Sequence, residues 1–210
     1  MKRTETPLVI GVAGIMGAGK STVAKVFEEM GAELIDADRI GKEMLGDAGL
    51  RGEVVKAFGD GVIGAEGAID AAKLGRAAFA SPERARTLDR LTRKLLVEKI
   101  RARIGELSSS AQVIVVDAAL LPEWDAAHWL DVLVVVDSPE ARAIERVASG
   151  RFSEAEARAR MAHQFSRARK AKAADVLIVN DGSLEELKEK ARKVYGTLVG
   201  DPGYRWKRRE

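Results

Sequence analysis

Cysteine is absent from all 210 residues, so the chain has no disulfide frame, no thiolate nucleophile and no cysteine-based metal site. Histidine is nearly as scarce. His128 and His163 are the only two, they lack metal-ligand spacing, and both read as surface or packing residues. No apolar run approaches the roughly 18 residues that a membrane span needs, and Met1 to Pro7 lacks the charged-then-apolar order of a secretory signal. A cytoplasmic protein with no membrane partner is expected. An excess of one charge is also missing: Lys and Arg number 35 against 32 Asp and Glu, a formal net charge of +3. Such balance gives no chain-wide field for nucleic acid. With 46% hydrophobic residues, the length suits one sizeable domain carrying an inserted subdomain.

Against these absences one stretch stands out, Gly14-Ile15-Met16-Gly17-Ala18-Gly19-Lys20-Ser21. It follows the apolar run Leu8, Val9, Ile10, Val12 and Ala13, and a helical pattern begins at Thr22. A glycine, four free positions and Gly-Lys-Ser between strand and helix make a phosphate-binding loop, or P-loop. Its glycines let successive amide N–H groups turn inward, and the following helix adds its positive end. Lys20 reaches the β- and γ-phosphates of a nucleotide such as ATP, while the Ser21 hydroxyl is a ligand for Mg²⁺.

Carboxylates recur where strands should end. Ala32 to Ile35 leads into Asp36-Ala37-Asp38, and Gln112 to Val116 leads into Asp117. In an open parallel sheet that edge is where ligands bind. Asp38, and with it Asp36, is a candidate for handling the acceptor, and Asp117 for holding Mg²⁺. The competing role is a helix cap at Asp36 or Asp38 and a turn or cap at Asp117. From Arg39 to about Ser110 only helical faces occur: Val54, Val55 and Phe58, then Leu74, Ala77 and Ala78, then Leu88 to Ile104. Basic residues there, among them Arg76, Arg90, Arg93 and Lys94, either grip an anionic acceptor or form the wet face of a helix.

A further buried-type strand is expected at Val132 to Val136 and a fifth strand at Asp175 to Val179. Between them Arg142 to Lys172 holds seven arginines and two lysines, which suits a hinged helical lid that excludes water and neutralises developing charge. Arg146 and Arg151 are its candidate phosphate contacts, while Arg158 and Arg160 follow Glu154 and Glu156 at helical pair spacing. Ser138 and Pro139 should open the preceding helix. The basic end around Arg205 to Arg209 reads as a solubilising tail before a nucleic-acid contact.

The succession GIMGAGKSTVAKVF, IDAD, FGDGVI, VVDAALL, VLVVVDSPE and ADVLIVNDG, in that order and spacing, resembles the dephospho-coenzyme A kinase family over most of the chain. The resemblance implies a three-layer α/β P-loop kinase fold on a five-stranded parallel sheet. The core would span about 1–38, 111–145 and 173–200, a helical acceptor-binding region about 39–110, and a lid about 146–172. It also implies transfer of the ATP γ-phosphate to the ribose 3′-hydroxyl of dephospho-coenzyme A. Asp38 then falls on the general base, Asn180 on the adenine pocket and Arg146 on a lid arginine. Three departures lie near the acceptor: Arg93-Lys94 replaces a His-Pro pair, Ala119-Leu120-Leu121-Pro122-Glu123 carries a displaced proline, and Gly150 takes the place of a second lid arginine. Leu120 and Glu123 are therefore acceptor-side candidates, and a related nucleotide-like or small alcohol acceptor stays open. The assembly state is not legible in the sequence.

Overall fold

The computed structural model describes residues 6–150 and 152–200. Five strands, β1 (Leu8–Gly14), β2 (Glu33–Asp36), β3 (Val113–Asp117), β4 (Val132–Asp137) and β5 (Val176–Val179), form one sheet in the order β2-β3-β1-β4-β5. Every pairing is parallel. The three central strands are almost wholly buried, because helices cover both faces and leave no side for polar residues.

On one face lie α1 (Lys20–Glu29) and the closing helix α9 (Leu184–Gly200). Their residues Val23, Phe27, Leu187, Ala191 and Tyr195 pack on Ile10, Val12, Val115 and Val134. The other face is closed by α2 (Ala37–Glu43), the long α5 (Pro82–Leu107) and α8 (Arg167–Ala173), with Ile100 of α5 fully buried among Ile35, Ile114, Val116 and Leu121. The alternation of β-strand side chains thus feeds two separate apolar layers.

Helices α3 (Ala48–Phe58) and α4 (Ala71–Ala78) have a third core of their own. Met44, Leu50, Val54, Phe58, Val62, Ile69 and Leu74 cluster there beside Leu88, Leu91 and Leu95 of α5. The helical region is therefore built against one long helix and not against the sheet. Asp47, Asp70 and Ser81 cap α3, α4 and α5 by accepting free backbone N–H groups.

The arginine-rich stretch differs from a simple hairpin. It contains α6 (Glu140–Ala148), α7 (Glu154–Met161) and α8, the last packed below β4. Ser138 is not the cap of α6, since Pro139 takes the N-cap position. Instead the buried Ser138 hydroxyl donates to the Asn180 carbonyl, 2.9 Å away, and ties β4 to β5. Arg158 pairs with Glu154 as expected, at 2.8 Å. Arg160 lies within electrostatic reach of Glu156, and its guanidinium also stands 4.3 Å from the ring centres of both Phe79 and Phe152.

Candidate active site

The P-loop joins β1 to α1, and its backbone explains its glycines. Gly17 and Gly19 sit at φ of 77° and 101°, where an L side chain is strained. Space reinforces the rule. A Cβ on Gly17 would strike the Ala143 carbonyl of α6, and one on Gly19 would lie 2.7 Å from Asn180 Nδ2. The loop is thus clasped from behind. Asn180 Nδ2 donates to the Ala18 carbonyl at 2.8 Å, while Arg146 Nη1 donates to the Gly17 carbonyl at 3.3 Å and to Ser138 Oγ at 2.9 Å. Ile15 and Ala18 are buried, and the Thr22 amide donates back to the Gly19 carbonyl to start α1.

In front of the loop three carboxylates and a cation converge. Registry sets Asp36 of β2 beside Asp117 of β3, and Asp117 beside Val12 of β1. Lys20 Nζ lies 3.5 Å from Asp117 Oδ1 and 3.4 Å from the Ser21 hydroxyl. Burial raises the Asp117 carboxyl above the usual carboxylate range. Lys20 and Ser21 oppose that shift, and the nearby charges of Asp38 and Asp36 add to it. Asp117 Oδ1 is buried and accepts no hydrogen bond; the Lys20 ammonium is its ion-pair partner, and it can still accept a donor or a cation from a ligand.

The two aspartates at the β2–α2 junction differ in what they bond. Asp36 is the N-cap of α2, its Oδ1 accepting the Arg39 N–H at 3.0 Å. The strand ends there, so Asp38 lies in the first turn of α2, exposed. Capping therefore falls on Asp36 and leaves Asp38 uncommitted to the helix end.

The acceptor-side candidates are scattered. Arg93 is paired with Asp89 on its own helix α5. Arg76 is exposed at the end of α4, within electrostatic reach of Asp70 and Glu156. Leu120 is half-buried in the loop after β3. Glu123, in the same loop, faces inward: Lys170 Nζ of α8 donates to its two oxygens at 2.7 and 2.9 Å and to the Ala119 carbonyl at 2.6 Å. Lys170 is only 1% exposed, and burial pulls its ammonium below the usual lysine range against the pull of Glu123. Arg151 and the basic tail lie outside the described residues.

Sequence reading passed over Lys170, Arg167 and Gln164. Arg167 forks Asp137 at the end of β4 with bonds of 2.7 and 2.8 Å, which hold the Asp137 carboxyl below its ordinary range. Gln164 accepts the Met16 N–H of the P-loop at 3.0 Å. Each partner is distant in sequence, and a basic run offers no local sign of which cation is buried. Among the described residues no group of three or more His, Cys, Asp or Glu is arranged to hold a metal ion, so a bound cation here needs hydroxyl or phosphate oxygens as well. No helix among them is long and apolar enough to cross a membrane.

This geometry has known counterparts. A profile described as Dephospho-CoA kinase matches residues 8–186. The chain belongs to the dephospho-CoA kinase family. It is 40% identical over 196 residues to a dephospho-CoA kinase of Streptomyces avermitilis, covering 91% of this chain and 94% of that one. A dephospho-CoA kinase of Corynebacterium jeikeium is 38% identical over 199 residues, covering 91% of this chain and all of the other. A crystal structure of a Thermus thermophilus protein superposes with a TM-score of 0.74 at 28% identity, over 93% of this chain and 99% of that one. Family membership and the P-loop kinase fold thus agree with the sequence pattern, and the chain is a phosphotransferase.

Proposed function

We infer that the chain transfers the γ-phosphate of ATP to the ribose 3′-hydroxyl of dephospho-CoA, giving coenzyme A in the last step of its synthesis. One observation carries the catalytic reading: Lys20 meets the buried Asp117 at the mouth of the P-loop, with Asp38 on the adjoining helix turn. Family membership over residues 8–186 supports the acceptor.

The inward amides of the P-loop hold the donor phosphates, and Lys20 follows the charge that gathers on the transferred group. Asp38, freed from capping by Asp36, orients the acceptor hydroxyl and takes its proton. Arg146 uses Nη1 to grip Gly17 and Ser138, so it holds the phosphate-binding loop in shape and brings a positive charge close to it. Asn180 serves the nucleotide end by fixing the Ala18 carbonyl. The Ser21 hydroxyl and Asp117 Oδ1, which accepts no hydrogen bond, form a fitting donor set for Mg²⁺. When bound, that ion neutralises charge on the β- and γ-phosphates.

The helices of 39–110, with their own core, form the acceptor-binding region, and the stretch from 146 to 172 forms the lid. Arg76, Arg93 and Leu120 face the question of acceptor recognition, whereas Glu123 acts by anchoring α8.

The test is an acceptor screen with Mg-ATP, comparing dephospho-CoA, adenosine phosphates and pantothenate derivatives by product mass. ADP released one-for-one with coenzyme A is expected from dephospho-CoA alone. Equal or greater phosphorylation of another acceptor overturns the assignment.

A further inference from the structure

The turn between α7 and α8, residues 162–166, reaches three parts of the molecule that are built separately. At its centre Gln164 Oε1 accepts the Met16 N–H of the P-loop at 3.0 Å. Next to it the Phe165 N–H donates at 2.7 Å to Glu123 Oε1, the oxygen that Lys170 holds from the other side. On its near side the His163 ring lies against Phe79 at the end of α4, ring centres 5.8 Å apart, and Arg160 stacks on the same ring. Burial, helped by the nearby Arg86 charge, holds the His163 imidazole below its usual range. The donor loop, the loop after β3 and the helical region therefore meet at one short turn.

Of these contacts the one to Met16 has the most direct chemical consequence. A P-loop works only while successive peptide planes present their N–H groups inward. Fixing one plane sets the direction of the next, and Met16 immediately precedes the positive-φ Gly17. The acceptor of its N–H comes from a segment 148 residues away. The P-loop is braced on its far side by Asn180 and Arg146, and Gln164 supplies a side-chain brace from the lid's return.

We propose that Gln164 is a positioning residue for phosphoryl transfer: it orients the Met16 peptide so that the P-loop grips the donor phosphates fully only while the lid's return turn is seated on Glu123 and Phe79. The amide side chain suits this post. It accepts a hydrogen bond without bringing negative charge to a site built for anions, which a carboxylate of the same length would do. The kinetic part of this proposal rests on the kinase reading; its nucleotide-binding part does not.

Two variants of the full chain test it by ADP calorimetry and steady-state kinetics. Gln164→Leu keeps the bulk and removes the acceptor, and ADP affinity and the KM for ATP should each worsen by about three- to tenfold, the scale of one lost hydrogen bond. The KM for dephospho-CoA should stay within about twofold. Gln164→Glu keeps the acceptor but adds charge, so ADP binding should weaken by about tenfold or more. That deficit should shrink as pH is lowered, because the protonated carboxyl has the shape and neutrality of the amide. A role in folding alone would not produce a nucleotide-specific, pH-dependent loss.

ADP affinity within twofold of the parent for a folded Gln164→Leu, or a pH-independent deficit in Gln164→Glu, overturns the proposal. If Gln164→Leu does not fold, Gln164→Glu decides. A parent protein inactive on dephospho-CoA would overturn the acceptor assignment, and the ADP measurements would still decide the role of Gln164.

Discussion

The two sides of the reaction cleft are built in different ways. On the donor side the functional groups hang on backbone: Gly14 to Ser21 leave a buried strand, Asp117 ends the next one, and register alone sets Asp36 beside it. On the proposed acceptor side the candidate groups hang on exposed helices, where Arg93 pairs with Asp89 and Arg76 lies open to solvent. A strand end in a packed sheet has almost no freedom, while a long side chain on a helix surface has several rotatable bonds. The donor side is therefore the more rigidly built of the two, and on our proposal the acceptor side takes its final arrangement with the substrate and the lid.

The largest blow to this division should come from the buried pair that ties α8 to the loop after β3. Lys170→Met leaves the Glu123 carboxylate buried without its cation, and a loss of about 3–5 kcal/mol of stability is expected in denaturant unfolding. Unfolding at the parent's midpoint would show that the pair holds nothing. A loss of activity larger than the loss of stability explains would shift Lys170 from anchor to active-site group.

Next in size is Asp117. Its folded-state pKa is raised by burial, so the native state holds a proton more readily than the unfolded chain. The cost is absent at acid pH and grows as pH rises through the raised value. Asp117→Asn should therefore lower turnover by about tenfold or more, with higher Mg²⁺ required for half-maximal rate. At neutral pH the nucleotide-free variant should be as stable as the parent or more so. A clear fall in melting temperature at neutral pH would contradict the sign of the shift.

The smallest effect is expected on the other side. Arg93→Ala removes an exposed pair within one helix, worth about 0.5 kcal/mol or less, and the KM for ATP should not move. A rise of more than about fivefold in the KM for dephospho-CoA would place Arg93 in direct contact with the acceptor and narrow the contrast between the two sides.

The same contrast explains what was legible in the sequence. β1, β3 and β4 read clearly because strands covered on both faces are almost continuously apolar, and the P-loop read clearly because its glycines answer to backbone geometry that only glycine satisfies. The family pattern carried the order of the remaining elements. The division between Asp36 and Asp38 was not legible, since it depends on β2 stopping one residue before α2 starts. Glu123 read as an acceptor-side candidate, and its buried pairing was not legible because its partner Lys170 lies 47 positions on in a run of similar cations. Gln164 gave no signal, because a single amide becomes meaningful only when the chain returns to Met16. Local periodicity reports which face is buried; it does not report which distant polar group will meet it there.

Asp38 links the two sides, standing on the helix that leaves the donor sheet edge and, on our proposal, taking the acceptor's proton. The most direct measurement is turnover of Asp38→Asn with dephospho-CoA alongside its affinity for ADP. ADP affinity within about threefold of the parent, with kcat reduced about a hundredfold or more, is predicted from the loss of a general base on an intact donor site. A kcat near the parent value would contradict the assignment of Asp38, and with it the account of how the cleft works.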